Sequence, residues 1–169
     1  GTPQADDVLV YRRPDNPDWG FETEVTEDGR YLVITIWKGT DDKFRIVYRD
    51  LAEPYGMPVD LIETFDNEYT LVGNDGPVFF FKTDLSAPKR RLIAIDTRAP
   101  QREHWRELVP QSDDVLTSAS FVGNLFIVQY LKDARSQVKL FSPGGQLVGE
   151  IELPGIGTAS GFGGKRTDT

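Results

Sequence analysis

The chain repeats itself every 46 or 47 residues, and no other feature restricts its possible folds as much. Gly29 in EDGRYLVITI, Gly76 in NDGPVFFFKT and Gly123 in FVGNLFIVQY each sit in a turn directly before an intensely apolar run, 47 residues apart. The runs that follow recur too, with FRIVYRD ending at Asp50, RRLIAID at Asp96 and SQVKLFS at Ser142, 46 residues apart. Ahead of each glycine stands another candidate strand, at Phe21 to Val25, Glu68 to Val72 and Val115 to Ala119. A fourth set closes each repeat at Val59 to Phe65, His104 to Val109 and Gln146 to Leu153. Short β-branched and aromatic runs, punctuated by Asp-Gly, Asn-Asp-Gly, Gly-Asn and Pro-Gly-Gly, are the pattern of antiparallel strands joined by tight turns.

Four strands in about 47 residues match one blade of a β-propeller, which takes roughly 40 to 50 residues. Blades stack face to face, so the second strand of each is covered on both sides and is apolar on both sides. This accounts for Leu32 to Trp37, Val78 to Phe81 and Leu125 to Val128, where a half-exposed strand would alternate. An ordinary β-sandwich with regular strand spacing is the plain alternative, and the return of one spacing in three independent features disfavours it. The expected fold is all-β, a partial β-propeller of about three four-stranded blades at 21–65, 66–110 and 111–154. Flanking half-blade strands are expected at 7–13 and 156–162. Since propellers close with about 4 to 8 blades, residues 1–169 read as an excerpt of one propeller domain.

Charge and composition exclude several functions. With 19 Lys and Arg against 27 Asp and Glu, the net charge of -8 would repel a phosphate backbone, so neither nucleic acid nor an anionic membrane is an expected partner. The absence of cysteine rules out disulfides, thiolate metal sites and a cysteine nucleophile. No apolar run approaches the roughly 20 residues that span a bilayer, and GTPQADD has neither the basic nor the apolar region of a signal peptide.

The residues for covalent catalysis are also not gathered here. Acyl transfer needs a nucleophile on a sharp turn, a base within reach, a group to orient that base and an oxyanion hole. Ser160 in TASGFGG has Thr158 two positions before it, not glycine, and reads as part of a structural inner strand. His104 is the only histidine and sits among charges in REHWREL, where an exposed structural role is expected. TDDK and QSDDV read as solvated acidic turns, PKRR at 88–91 as a turn into a third strand, and PGGQLVGE and GFGGKR as hairpins without a phosphate-binding pattern. No catalytic residue, metal site or cofactor is expected in this chain.

Laid out in blades, the sequence resembles the β-propeller of the prolyl oligopeptidase (prolyl endopeptidase) family of serine peptidases. The likeness rests on DVLVYRRPDNPDWGFETEVTEDGRYLVITIWKGTDDKFRIVYRDL, DNEYTLVGNDGPVFFFKTDLSAPKRRLIAID, HWRELVPQSDDVLTSASFVGNLFIVQYLKDARSQVKLF and the closing GKRTDT, in order along nearly the whole chain. The resemblance implies a seven-bladed propeller capping an α/β-hydrolase domain that carries a Ser, Asp, His triad and cleaves short peptides after proline. That peptidase domain is absent from these residues. The segment would be inert by itself and would gate substrate access, with the hydrolase domain, the remaining blades and short proline-containing peptides as its partners. Glu22, Glu24, Thr70, Thr117 and Ser118 are the candidate channel-lining residues. Tyr48 and Arg49 are candidates for reaching the substrate, because family members extend some propeller side chains into the pocket. The expected compartment is the cytoplasm, with a periplasmic or secreted parent left open. The competing functional reading is a free-standing propeller-type interaction module, in which open blade edges drive association.

Overall fold

A computed structural model describes residues 3–151, 153 and 161–168. Twelve strands form three four-stranded antiparallel sheets, each a simple meander in chain order. The first sheet is β1 (Trp19–Val25), β2 (Tyr31–Lys38), β3 (Phe44–Asp50) and β4 (Val59–Ile62). The second is β5 (Tyr69–Asp75), β6 (Val78–Thr83), β7 (Arg91–Asp96) and β8 (Arg106–Val109), and the third β9 (Val115–Val122), β10 (Leu125–Lys132), β11 (Arg135–Phe141) and β12 (Leu147–Ile151). β2, β6 and β10 start at Tyr31, Val78 and Leu125, so the 47-residue period of the sequence is the period of the sheets.

Strand alternation divides β6, the second strand of the middle sheet, between two seams. Phe79 and Phe81 on β6 face the first sheet, where they join Tyr31, Val33 and Ile46 in one core. Phe80 faces the third sheet and packs with Phe121, Phe126 and Val128 in another. Because neighbouring residues of a strand point to opposite faces, three consecutive phenylalanines fit only a strand covered on both sides. Edge-on ring pairs hold each seam: Tyr31 and Phe79 lie 5.0 Å apart, Phe80 and Phe126 4.9 Å. Such pairs contribute about 0.5–1.5 kcal/mol each beyond burial. Polar ties supplement them. Lys82 Nζ donates to the Thr117 carbonyl at 3.2 Å, and Asn74 Nδ2 to Asp28 Oδ2 at 2.9 Å. Gly145, at φ 85°, turns so close to the third sheet's neighbour that a Cβ there would strike the Leu108 carbonyl of β8.

The strands that close each repeat are shorter than expected. The first ends at Ile62 instead of Phe65. The second starts at Arg106 because Arg102–His104 forms a short 3-10 turn, held by Trp105 Nε1 donating to the Pro100 carbonyl at 2.8 Å. Residues 7–13, expected as a strand, belong to no sheet. A strand needs a neighbour for its backbone groups, and among the described residues none pairs with this segment; Tyr11 instead packs edge-on against Phe21 at 5.7 Å and covers the outward face of the first sheet. Of the second flanking segment, 156–162, residues 156–160 and with them Ser160 lie outside the described residues, and Gly161 and Phe162 are in no strand.

Candidate functional site

The first strands of the three sheets, β1, β5 and β9, each have one edge without a strand neighbour among the described residues. Their ends enclose a cavity of about 840 Å³ with Glu24 to Asp28 on one wall, Leu71 to Asn74 on the next and Ser120 and Phe121 on the third. The segment 163–167 closes the fourth side.

Its rim is built by local turn chemistry. The β1–β2 turn is set by Asp28, whose Oδ1 accepts from Thr26 Oγ1 at 2.6 Å and from the Arg30 N–H at 3.1 Å, while Oδ2 accepts from Asn74 across the seam. Burial pushes this carboxyl up, but the three hydrogen bonds and nearby Arg30 outweigh it, so Asp28 is held below the usual carboxylate range. Arg166 spans the cavity mouth. Its N–H donates to the Glu27 carboxylate, at 2.7 Å to the nearer oxygen, its Nη1 to Asp75 at 2.7 Å, and its guanidinium lies 5.5 Å from the Phe121 ring centre. One residue from the far end of the chain thereby touches all three sheets. The Gly123 N–H, donating to the Lys165 carbonyl at 3.1 Å, holds this segment in place.

Of the candidate channel residues, Glu24 lines the cavity. Burial raises its carboxyl above the usual range, and the like charge of Glu22 adds to the effect. Glu22 is exposed on the same face of β1, short of the cavity. Thr70 is exposed on β5, paired with Lys82. Thr117 Oγ1 donates to the Gln129 carbonyl at 3.1 Å, and Ser118 Oγ hydrogen-bonds Gln129 Oε1 at 3.2 Å beside a neighbouring hollow of about 420 Å³. Tyr48 and Arg49 point to opposite faces of β3. The Tyr48 ring sits in the seam between the first and second sheets, 5.5 Å from Phe79, where burial pushes its phenol up against a partial offset from Thr97. Arg49 faces the other way, opposite Leu32, and its buried Nε has no hydrogen-bond partner among the described residues. His104 is exposed in the 3-10 turn, with Nδ1 3.2 Å from Gln101 Oε1.

Sequence reasoning missed the rim residues Asp28, Asn74, Asp75 and Arg166. Asp28 and Asp75 were within reach, since they precede Gly29 and Gly76 at the repeat spacing. Arg166 left no local signal, because its partners lie 139 and 91 residues away. Chemically, this cavity offers hydrogen bonds, charges of both signs and an aromatic face. Among the described residues, the cavity lining includes Ser120 and no histidine.

Residues 1–169 match the family model described as "Prolyl oligopeptidase, N-terminal beta-propeller domain". The chain belongs to the prolyl oligopeptidase family. It is 34% identical over 168 residues to a prolyl endopeptidase of Elizabethkingia miricola and 33% identical to that of Elizabethkingia meningoseptica, covering 99% of this chain and 23% of each relative. The chain therefore spans about a quarter of the length of these prolyl endopeptidases. Among solved structures, one from a study of inter-domain dynamics in two prolyl endopeptidases superposes with a TM-score of 0.90 at 31% identity, covering 99% of this chain and 25% of the other. The ligand-free prolyl oligopeptidase B of Galerina marginata gives 0.89 at 24% identity, over 100% of this chain and 24% of that one, and supports the fold alone. The three sheets are thus part of the N-terminal propeller of a prolyl oligopeptidase, and the likeness extends over the strands that wall the cavity.

Proposed function

We propose that these sheets form part of the wall of a passage that filters peptides on their way to the catalytic domain of a serine peptidase cleaving after proline. The observation behind this reading is the axial cavity, walled by the free-edged first strands of three successive sheets and furnished for contact instead of bond cleavage. A narrow wall of this kind discriminates by size, because passing a peptide requires it to be thin and extended, whereas a folded protein would have to unfold. Glu24 contributes a carboxylate to the wall. Glu22, Thr70, Thr117 and Ser118 extend the polar lining along the same strands. At the end of β3, Arg49 is the better candidate of the pair for meeting a substrate, since it faces away from the seam in which the Tyr48 ring is engaged.

A chromogenic proline dipeptide and a ten-residue proline peptide provide the test. The 169-residue chain is expected to cleave neither, and measurable turnover would overturn its inertness. In the full-length polypeptide, Glu24→Trp is expected to lower kcat/KM several-fold for the ten-residue peptide and to spare the dipeptide; equal effects on both, or none, would remove this wall from the filter. Arg49→Met is expected to raise KM with little change in kcat, while Tyr48→Phe leaves both near their starting values.

A further inference from the structure

Basic residues gather on one stretch of this acidic chain. From Lys89 to Arg106, six Lys and Arg stand against two acids, Asp96 and Glu103, a net of +4 in 18 residues where the whole chain carries -8. Four of the six have partners. Lys89 Nζ donates to the Asp113 carbonyl, Arg90 pairs with Glu68, Arg91 Nη1 with Glu107 at 2.7 Å and Arg98 with Asp96 at 2.7 Å. Arg102 and Arg106 have no ion pair among the described residues, and both line one hollow of about 260 Å³ beside β7 and β8.

The lining suits an anion with an apolar body. Leu85, Ile93 and Trp105 supply the apolar side, and the last two also belong to the core shared by the first and second sheets. Trp105 is fixed twice, by Nε1 donating to the Pro100 carbonyl and by an edge-on contact with Tyr69 at 6.2 Å, and the Arg102 guanidinium lies 5.3 Å from its ring centre. A guanidinium held against a ring is already oriented and loses little freedom when a ligand arrives. Glu107 also lines the hollow, but its charge is met by Arg91. Asp96, close enough to feel Arg106, is bonded to Arg98. The repeat separates scaffold from addition. Arg45, 46 residues before Arg91, likewise pairs with a fourth-strand carboxylate, Asp60 at 3.0 Å, so that pair is common to two blades. Arg102 and Arg106 instead stand where the first repeat has Tyr55 and Val59, 47 residues earlier, so the fold does not require them.

We infer that this hollow is a binding site for a phosphate monoester carrying a small apolar or aromatic group. Two unpaired guanidiniums match a dianion, whereas a carboxylate would leave one of them unmet. The phosphate also offers three acceptor oxygens to the arginine forks. A volume of about 260 Å³ lies below the roughly 300–1,000 Å³ of sites for drug-sized ligands, so the organic group is small. The site draws on β7, β8 and the turns beside them, none of which walls the axial cavity, and it stands independently of the peptidase reading.

Isothermal titration of the full-length protein with phenyl phosphate tests this. One site with a Kd below about 1 mM is expected. Benzoate, with the same ring and a single charge, is expected to bind at least about tenfold more weakly. Arg102→Gln and Arg106→Gln are each expected to weaken phenyl phosphate about tenfold, because each removes a charge-assisted hydrogen bond. Lys89→Gln takes a charge from the same stretch outside the hollow and is expected to change the affinity less than about twofold, since solvent and salt screen it. No saturable binding, benzoate as tight as phenyl phosphate, or an equal loss in all three variants overturns the site. A proline-free peptide with one phosphotyrosine distinguishes the two sources of this chemistry. Binding at least as tight as that of phenyl phosphate assigns the site to phosphorylated chains, and binding of phenyl phosphate alone assigns it to small phosphate esters.

Discussion

β6 and β10 occupy the same place in successive repeats and experience different surroundings. On β6, Phe79, Phe80 and Phe81 are 0%, 4% and 0% exposed, sealed by a sheet on either side. On β10, Phe126, Val128 and Tyr130 are equally buried against the second sheet, but Ile127 and Gln129 on the other face are half-buried and Leu131 is 47% exposed. The two strands have the same ladder, length class and turn before them. What differs is the neighbour, so burial in this fold belongs to the seam between sheets more than to the strand.

The comparison is broken most forcefully by truncating each strand on its two faces. Phe80→Ala empties a site enclosed by Phe121 and Phe126 and is expected to cost about 3–5 kcal/mol in urea unfolding. Ile127→Ala, on the half-covered face, is expected to cost about 1 kcal/mol. Equal losses would show that the outward face of β10 is as well packed as the seam.

A polar clamp comes next in size. Glu68 is 7% exposed, and its two carboxylate oxygens meet Lys82 Nζ at 3.1 Å and Arg90 Nε at 2.5 Å, tying β5 to the end of β6 and to the turn before β7. Glu68→Gln leaves two cations poorly matched and is expected to cost about 2 kcal/mol, between the values for exposed and fully buried pairs. Its unfolding midpoint should depend less on salt than that of the parent, and a loss under 0.5 kcal/mol, as for a surface pair, would make the clamp ornamental.

pH separates the seams at smaller amplitude. Tyr130, on the sealed face of β10, has its phenol pushed up to about 12 by burial, with Asp114 adding to it. The unfolded phenol ionises near 10, so this group's stabilisation is complete below pH 10 and is lost as pH rises toward 12. Tyr130→Phe is expected to flatten that alkaline decline. On the acid side, Asp96 is lowered to about 2 chiefly by its hydrogen bond with Arg98, so its contribution is present above about pH 4 and lost as pH falls toward 2. Arg98→Met is expected to shift the acid midpoint upward by a few tenths of a pH unit, since the pair is largely solvated.

The sequence alone determined the sheets. Strand order follows from short apolar runs and turn residues whose preferences act within a few positions, and FFF at 79–81 or LVITI at 32–36 required cover on both faces because alternation leaves no other way to bury them. The 47-residue spacing then fixed the number of sheets and which strand of each would be innermost. Strand ends were less legible: the 3-10 turn at Arg102–His104 depends on Trp105 reaching back to Pro100, a choice that propensity does not encode. The site was legible only in part. Glu24 could be placed on the wall because it lies on a first strand. By contrast, the direction of Tyr48 and Arg49 depended on which face of β3 met the second sheet, and the bond of Asn74 to Asp28 depended on how deeply the two sheets sit together. The reach of Arg166 to Glu27 and Asp75 joins residues that only tertiary packing brings together. Local rules build a blade, but side chains at the axis take their roles from sheets distant in sequence, whose distances and angles no single strand contains.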